Sequence, residues 1–176
     1  MRRRKALAIV TVSAVGLAGI AAGGWLGGYR INFTPSYPLG LWRVETLDRE
    51  VKVGDRIFIC PPRIQDFVMA RERGYVRTGL CPGWLSPLIK SVVAGPGQRV
   101  DIGRSIEIDG KALARSEVRS LDAQGRALEP YDGGIVPPDH LFLHSEFAGS
   151  YDSRYFGPIP ADGVLGLARP VFTFDP

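Results

Sequence analysis

From Ala6 to Tyr29 the chain runs for 24 residues without a charged side chain, ALAIVTVSAVGLAGIAAGGWLGGY. As a helix, a run of this length crosses a hydrocarbon core of about 30 Å. It therefore separates the first residues from everything that follows. MRRRK, ahead of the run, reads as a cytoplasmic flank, and Trp25 and Tyr29 suit the far headgroup interface. The expected division is residues 1–29 as basic flank and membrane anchor or signal sequence, and residues 30–176 as an exported domain. A cleaved signal peptide is the competing reading, because the run is rich in Ala and Gly and the stretch 18–22 passes for a processing site. The apolar length, beyond the ~7–15 residues of a signal core, favours retention.

Arg2, Arg3, Arg4 and Lys5 account for the whole formal charge of +4, leaving residues 6–176 balanced at 18 basic and 18 acidic. No basic excess remains to meet phosphates, so a nucleic-acid partner is not expected. A chain of 176 residues holds an anchor and one domain of ordinary size. Cys60 and Cys81 are its two cysteines. In an exported domain they form a possible disulfide worth roughly 3 kcal/mol in the chain-entropy model; two unrelated buried thiols are the alternative.

Past the apolar run the hydrophobic segments are short and punctuated by Pro, Gly and Asp, as in DRIFIC, LIKSVVA, SIEIDG, HLFLH and VLGLARPVF. This pattern predicts a mainly β fold of short antiparallel strands. Asp109-Gly110 has the chemistry of a two-residue hairpin turn. Residues 61–79 are charged and mixed, and have room for one short helix.

FTPSYPLGLW, residues 33–42, holds Ser36 between two prolines in a segment that forms no helix and only a poor strand. Taken alone, Ser36 is a turn serine bonded to nearby backbone. In LIKSVVA, strand alternation puts Leu88, Lys90, Val92 and Ala94 on one face, and Ile89, Ser91 and Val93 on the other. A lysine in such a strand is either a gatekeeper on a sheet edge or an amine whose charged form is disfavoured by burial. The second kind takes a proton from a serine hydroxyl, the Ser-Lys variant of nucleophilic catalysis. His140 and His144 stand in no triad context, and on a strand they lie about 13 Å apart, too far to share a metal. No metal or cofactor is expected.

Taken together, these segments resemble the type I signal peptidases, and within them the TraF-like peptidases of conjugative plasmid transfer. TPSYPLGLW is similar to the serine box, VGDRIFIC to the second conserved strand, and LIKSVVAGPGQRV to the lysine box with its Gly-Pro-Gly turn. GSYDSRYFGPIP resembles the C-terminal box and VLGLARPVF the closing strand. The resemblance implies a signal-peptidase-like β fold with Ser36 as nucleophile and Lys90 as general base. It implies an oxyanion hole from the Ser36 N–H and the Thr34 hydroxyl, a Ser150 hydroxyl that orients the lysine, and an Asp152–Arg154 ion pair that braces the site. Without the family, Asp152 and Arg154 read as a surface turn with a weak salt bridge. General members carry Gly-Asp-Asn where this chain has His144-Ser145-Glu146, and Met where it has Tyr37. These departures point to a dedicated enzyme with one or few substrates.

Between Arg30 and Ser36 the chain spans at most about 20 Å, which keeps the hydroxyl near the bilayer surface. The reading implied is a serine endopeptidase of the bacterial inner membrane with its catalytic domain in the periplasm. Its substrate would be a membrane-embedded pilin precursor, cleaved or cyclised through an acyl-enzyme, with other conjugation proteins as possible partners. A non-catalytic periplasmic module of the pilus or secretion apparatus is the alternative. A self-cleaving repressor-like peptidase is a third reading, disfavoured by the anchor.

Overall fold

A computed structural model describes residues 2–175. Helix α1, Arg2–Leu26, carries the uncharged residues from Ala6 to Leu26, about 32 Å of helix. Its end comes three residues before the apolar run does. Gly28 takes φ +81°, which an L side chain rarely adopts, and its carbonyl accepts from the Val44 N–H at 2.8 Å. The chain turns there into β1, Tyr29–Asn32, so Tyr29 belongs to a strand rather than to the helix.

Strand β1 pairs antiparallel with β2, Leu39–Glu45, with Arg30 opposite Trp42 and Asn32 opposite Gly40. Residues 33–38 are therefore the loop of a hairpin hung directly from α1, and Ser36 lies in it. Gly40 is fixed by close approach. It holds φ +120°, and any Cβ would run into the Phe172 carbonyl of the strand alongside.

The chain continues through β3, Arg56–Ile59; α2, Gln65–Glu72; β4, Thr78–Cys81; and β5, Leu88–Ala94. A small antiparallel sheet follows, in the order β8 (Lys111–Ala112), β7 (Ile106–Ile108), β6 (Arg99–Ile102) and β9 (Gly134–Ile135). Asp109 and Gly110 make its two-residue turn, with φ values of +50° and +74°. The last elements are β10, His140–His144; α3, Ser153–Phe156; β11, Ile159–Pro160; and β12, Val164–Phe174. The main sheet has seven strands in the order β1-β2-β12-β3-β5-β10-β11, every neighbour antiparallel. The fold is mainly β, as the punctuated pattern predicts, although β12 is long at 11 residues. It tolerates Pro170 because β3 pairs only with its first residues, 164–167.

Two expectations about β5 change. It is an interior strand, between β3 and β10, so Lys90 is no edge gatekeeper. Its alternation also breaks. Ala94 pairs with Phe142 and Val92 with Leu143, leaving Val93 as a bulge. Val92 then packs in the large cluster with Ile57, Ile59, Phe67, Leu143 and Phe156, whereas Ala94 packs with Val100, Ile106, Val136 and Phe142 under the small sheet. A third cluster, Trp42, Phe58, Ile89 and Ala168, lies behind the serine loop. Cys60 and Cys81 are bonded, with Cα atoms 5.4 Å apart, tying the end of β3 to β4 across α2.

Candidate active site

The serine loop is rigid because its backbone polar groups are met by side chains from three directions. The buried Asn32 amide Nδ2 reaches the carbonyls of Thr34, Tyr37 and Pro38 at 2.9, 2.9 and 3.0 Å. Its Oδ1 accepts from the Thr34 N–H at 3.1 Å and the Thr34 hydroxyl at 2.8 Å. Trp42 Nε1 donates to the Pro38 carbonyl at 2.9 Å, and the Tyr37 hydroxyl lies 2.8 Å from Ser91 Oγ on β5. Ser145 Oγ donates to the carbonyl of Ser36 itself. With these bonds made, a loop of two prolines has little freedom left.

Strand β5 brings Lys90 beneath this loop. Its Nζ lies 3.4 Å from Ser36 Oγ and 2.6 Å from Ser150 Oγ, and the two hydroxyl oxygens are 3.5 Å apart. Lys90 is 3% exposed. Burial drives its pKa down from 10.5 to about 8; the nearby Asp152 carboxylate opposes that change and the Arg154 charge adds to it. A neutral amine is therefore accessible near physiological pH, within reach of a hydroxyl.

Behind the lysine, Asp152 and Arg154 are both fully buried. Arg154 Nε donates to Asp152 Oδ1 at 2.8 Å and Nη2 to Oδ2 at 2.9 Å. Nη1 donates to the Glu117 carbonyl at 2.8 Å, and the carbonyls of Ser145, Phe147 and Ser150 surround Nη2 at 3.2–3.4 Å. This is a bidentate pair inside the protein, so the surface-turn alternative is excluded. Burial pushes the Asp152 carboxyl up, but His144, Arg154 and the Lys90 charge outweigh it and hold the group well below the usual carboxylate range. Asp152 also accepts the Ser145 N–H at 3.1 Å. A continuous path thus runs from Arg154 through Asp152 and Ser145 to the Ser36 carbonyl.

The geometry is that of a serine on a hairpin loop beside a desolvated amine on an interior strand, in the order of the boxes quoted above. The profile of the signal peptidase, peptidase S26, family matches residues 4–173. The chain belongs to this family. Over all 176 residues it is 58% identical to the conjugal transfer protein TraF of Agrobacterium fabrum, covering that protein completely. It is 58% identical to the probable conjugal transfer protein TraF of Sinorhizobium fredii, covering 97% of this chain and 89% of that one. A plasmid transfer protein TraF from Escherichia coli is 34% identical, with 98% and 97% covered. Among solved structures, a signal peptidase I from Enterococcus faecalis matches at 20% identity and a TM-score of 0.42, covering 68% of this chain and 97% of its own.

Of the signal-peptidase residues expected here, Ser36, Lys90, Ser150, Asp152 and Arg154 lie together. Thr34 is engaged elsewhere, its hydroxyl donating to Asn32 Oδ1 at 2.8 Å. Sequence reasoning missed Asn32, Ser145 and the setting of His144. Asn32 had a signal, because an Asn with its side chain on the N–H two residues on forms an Asx turn. His144 is buried at 3% exposure, with Nε2 3.2 Å from the Arg115 carbonyl and Nδ1 3.4 Å from Asp152 Oδ2. Facing a carbonyl, Nε2 carries its hydrogen. Nδ1 makes no hydrogen bond among the described residues.

Proposed function

We propose that this chain is a membrane-anchored serine endopeptidase of conjugative transfer that processes a pilin precursor, with residues 30–176 on the periplasmic side. The observation that carries the reading is the buried Lys90 amine, 3.4 Å from Ser36 Oγ and bridged to it by Ser150. Neutral Lys90 takes the Ser36 proton as Oγ attacks the scissile carbonyl carbon. The oxyanion is met by the Ser36 N–H and, after rotation, by the Thr34 hydroxyl. The ammonium then returns its proton to the departing amine, leaving an ester on Ser36. Water resolves the ester to a linear product. A positioned amine in its place closes a ring, because a held nucleophile competes at high effective molarity.

Co-expression with the candidate prepilin, followed by mass spectrometry of the product, tests the reading. Wild type should yield a shortened product and Lys90→Ala only the precursor. Identical masses from the two would remove the peptidase and leave the non-catalytic assembly module. A product lighter by one water than the linear peptide identifies cyclisation.

Two further outcomes are expected. Because the base works only when neutral, and its pKa is depressed to about 8, kcat/KM should rise about tenfold per pH unit below 8 and level off above it. A pH profile flat from 6 to 9 would contradict a lysine base. Asn32→Ala should lower kcat about a hundredfold with KM little changed, since it frees the loop that aims Ser36. Steady-state kinetics that showed only a KM effect would assign Asn32 to substrate binding instead.

A further inference from the structure

Two clefts adjoin the serine loop. One, of about 710 Å³, is mostly apolar and is walled by the last turns of α1, at Ala21, Gly24 and Trp25, and by Asn32, Thr34 and Ile89. The other, of about 430 Å³, touches no residue of α1; Ser36, Tyr37, Arg56, Ser91 and Leu113 line it. A peptide that comes off the membrane along α1 and crosses Ser36 continues into this second cleft.

Arg56 is the cation of the second cleft. Its guanidinium carbon lies 4.8 Å from the ring centre of Tyr37, the residue next to Ser36, and 5.8 Å from that of Trp42. Cation–π contact with the two rings, which stand nearly perpendicular to each other, holds the group in place. No carboxylate of the described residues lies within 4 Å of it. Of the acidic groups in the same lining, Glu146 is engaged by Arg115 at 2.6 Å, and Asp175 makes no ion pair among the described residues. An exposed guanidinium with no ion pair among the described residues, in the cleft that Ser36 lines, is suited to take a planar anion.

We propose that this cleft is a subsite for a carboxylate of the substrate, bound by Arg56, in the stretch that leaves Ser36 on the side away from α1. The carboxylate is an Asp or Glu side chain or the free C-terminus of the peptide. The inference rests on the peptidase reading for the direction of the chain, but binding is measurable without turnover.

The test uses the full Ser36→Ala chain in nanodiscs with nitrogen-15 arginine, the Arg56 Nε–H resonance being assigned through Arg56→Lys. The probes are acetyl-Ala-Glu-Ala-amide, acetyl-Ala-Gln-Ala-amide, acetyl-Ala-Ala-OH and acetyl-Ala-Ala-amide. The Glu peptide, the free acid or both should shift the resonance saturably, at least about tenfold more tightly than the neutral partner. Response to the first alone names a side chain, and to the second alone a terminus. No shift with either acid, or an equal shift with the amides, overturns the proposal. Cleavage of a proteome-derived peptide mixture by the wild type should then favour sites with a carboxylate beyond the cut by about tenfold. Arg56→Gln should abolish that preference and Arg56→Glu should reverse it toward Lys and Arg. Acid-selective binding without any cleavage would refute the peptidase and keep the subsite, whereas cleavage with no acid preference and no shift would do the opposite.

Discussion

Lys90→Met is expected to abolish processing and, at the same time, to make the protein more stable. The first effect follows, on the proposed mechanism, from the loss of the amine 3.4 Å from Ser36 Oγ and should exceed a thousandfold. The second follows from burial. A lysine whose folded pKa is about 8 against an ordinary 10.5 weakens the fold by about 3 kcal/mol when charged. The sign is set by proton counts. Between pH 8 and 10.5 the unfolded chain binds the proton and the folded one releases it, so stability rises with pH across that window. Below pH 8 both states are protonated and the full penalty is present. Methionine removes it, offset by about 1 kcal/mol for the lost bond to Ser150. At pH 7 the variant should melt about 6 °C higher, and the gap should close as pH climbs past 8. A variant that melts lower at pH 7, or a gap independent of pH, would show that Lys90 is not held against a desolvation penalty.

Asp152→Asn should have the opposite effect on the fold. Arg154 is fully buried and its guanidinium is balanced by this one carboxylate. Breaking such a pair from one side costs about 3–5 kcal/mol, a drop of about 10 °C in Tm for a domain of this size. The depressed carboxyl contributes stability above its unfolded value of 3.8 and loses it as pH falls below that value, so the variant should lack that acid-sensitive limb. A kinetic readout separates a structural brace from electrostatic tuning. Asp152 raises the Lys90 pKa, so removing its charge should move the midpoint of the pH–rate limb below 8 even as the rate falls. An unmoved midpoint would confine Asp152 to holding Arg154 and Ser145.

What the sequence disclosed follows from how local each signal is. The apolar N-terminal helix, the Asp109-Gly110 turn and the strands at 88–94 and 140–144 are periodicities and turn chemistries confined to short stretches, and the folded chain keeps them. The pairing of Ser36 with Lys90 spans 54 residues and was visible only as two boxes in family order. Neither residue alone distinguishes a nucleophile from a turn serine, or a base from an edge lysine, because burial is decided by β3 and β10 on either side of β5. The Val93 bulge was invisible for the same reason, since strand alternation presumes a regular ladder. Ser145 and His144 escaped because their partners come from elsewhere in the chain: the Ser36 carbonyl 109 residues away and the Arg115 carbonyl 29 residues away.

The Cys60–Cys81 link encloses α2 and joins the lysine-bearing sheet to the β4 turn, 21 residues apart. Sulfur oxidation makes that link a chemical record of where the body matured. If the soluble part folds outside the cytoplasm, protein taken from intact cells should resist thiol alkylation until a reductant is added, and a copy lacking α1 and retained in the cytoplasm should be alkylated at both positions. The same contrast would give topology and maturation from one gel, with no assay of the peptide chemistry.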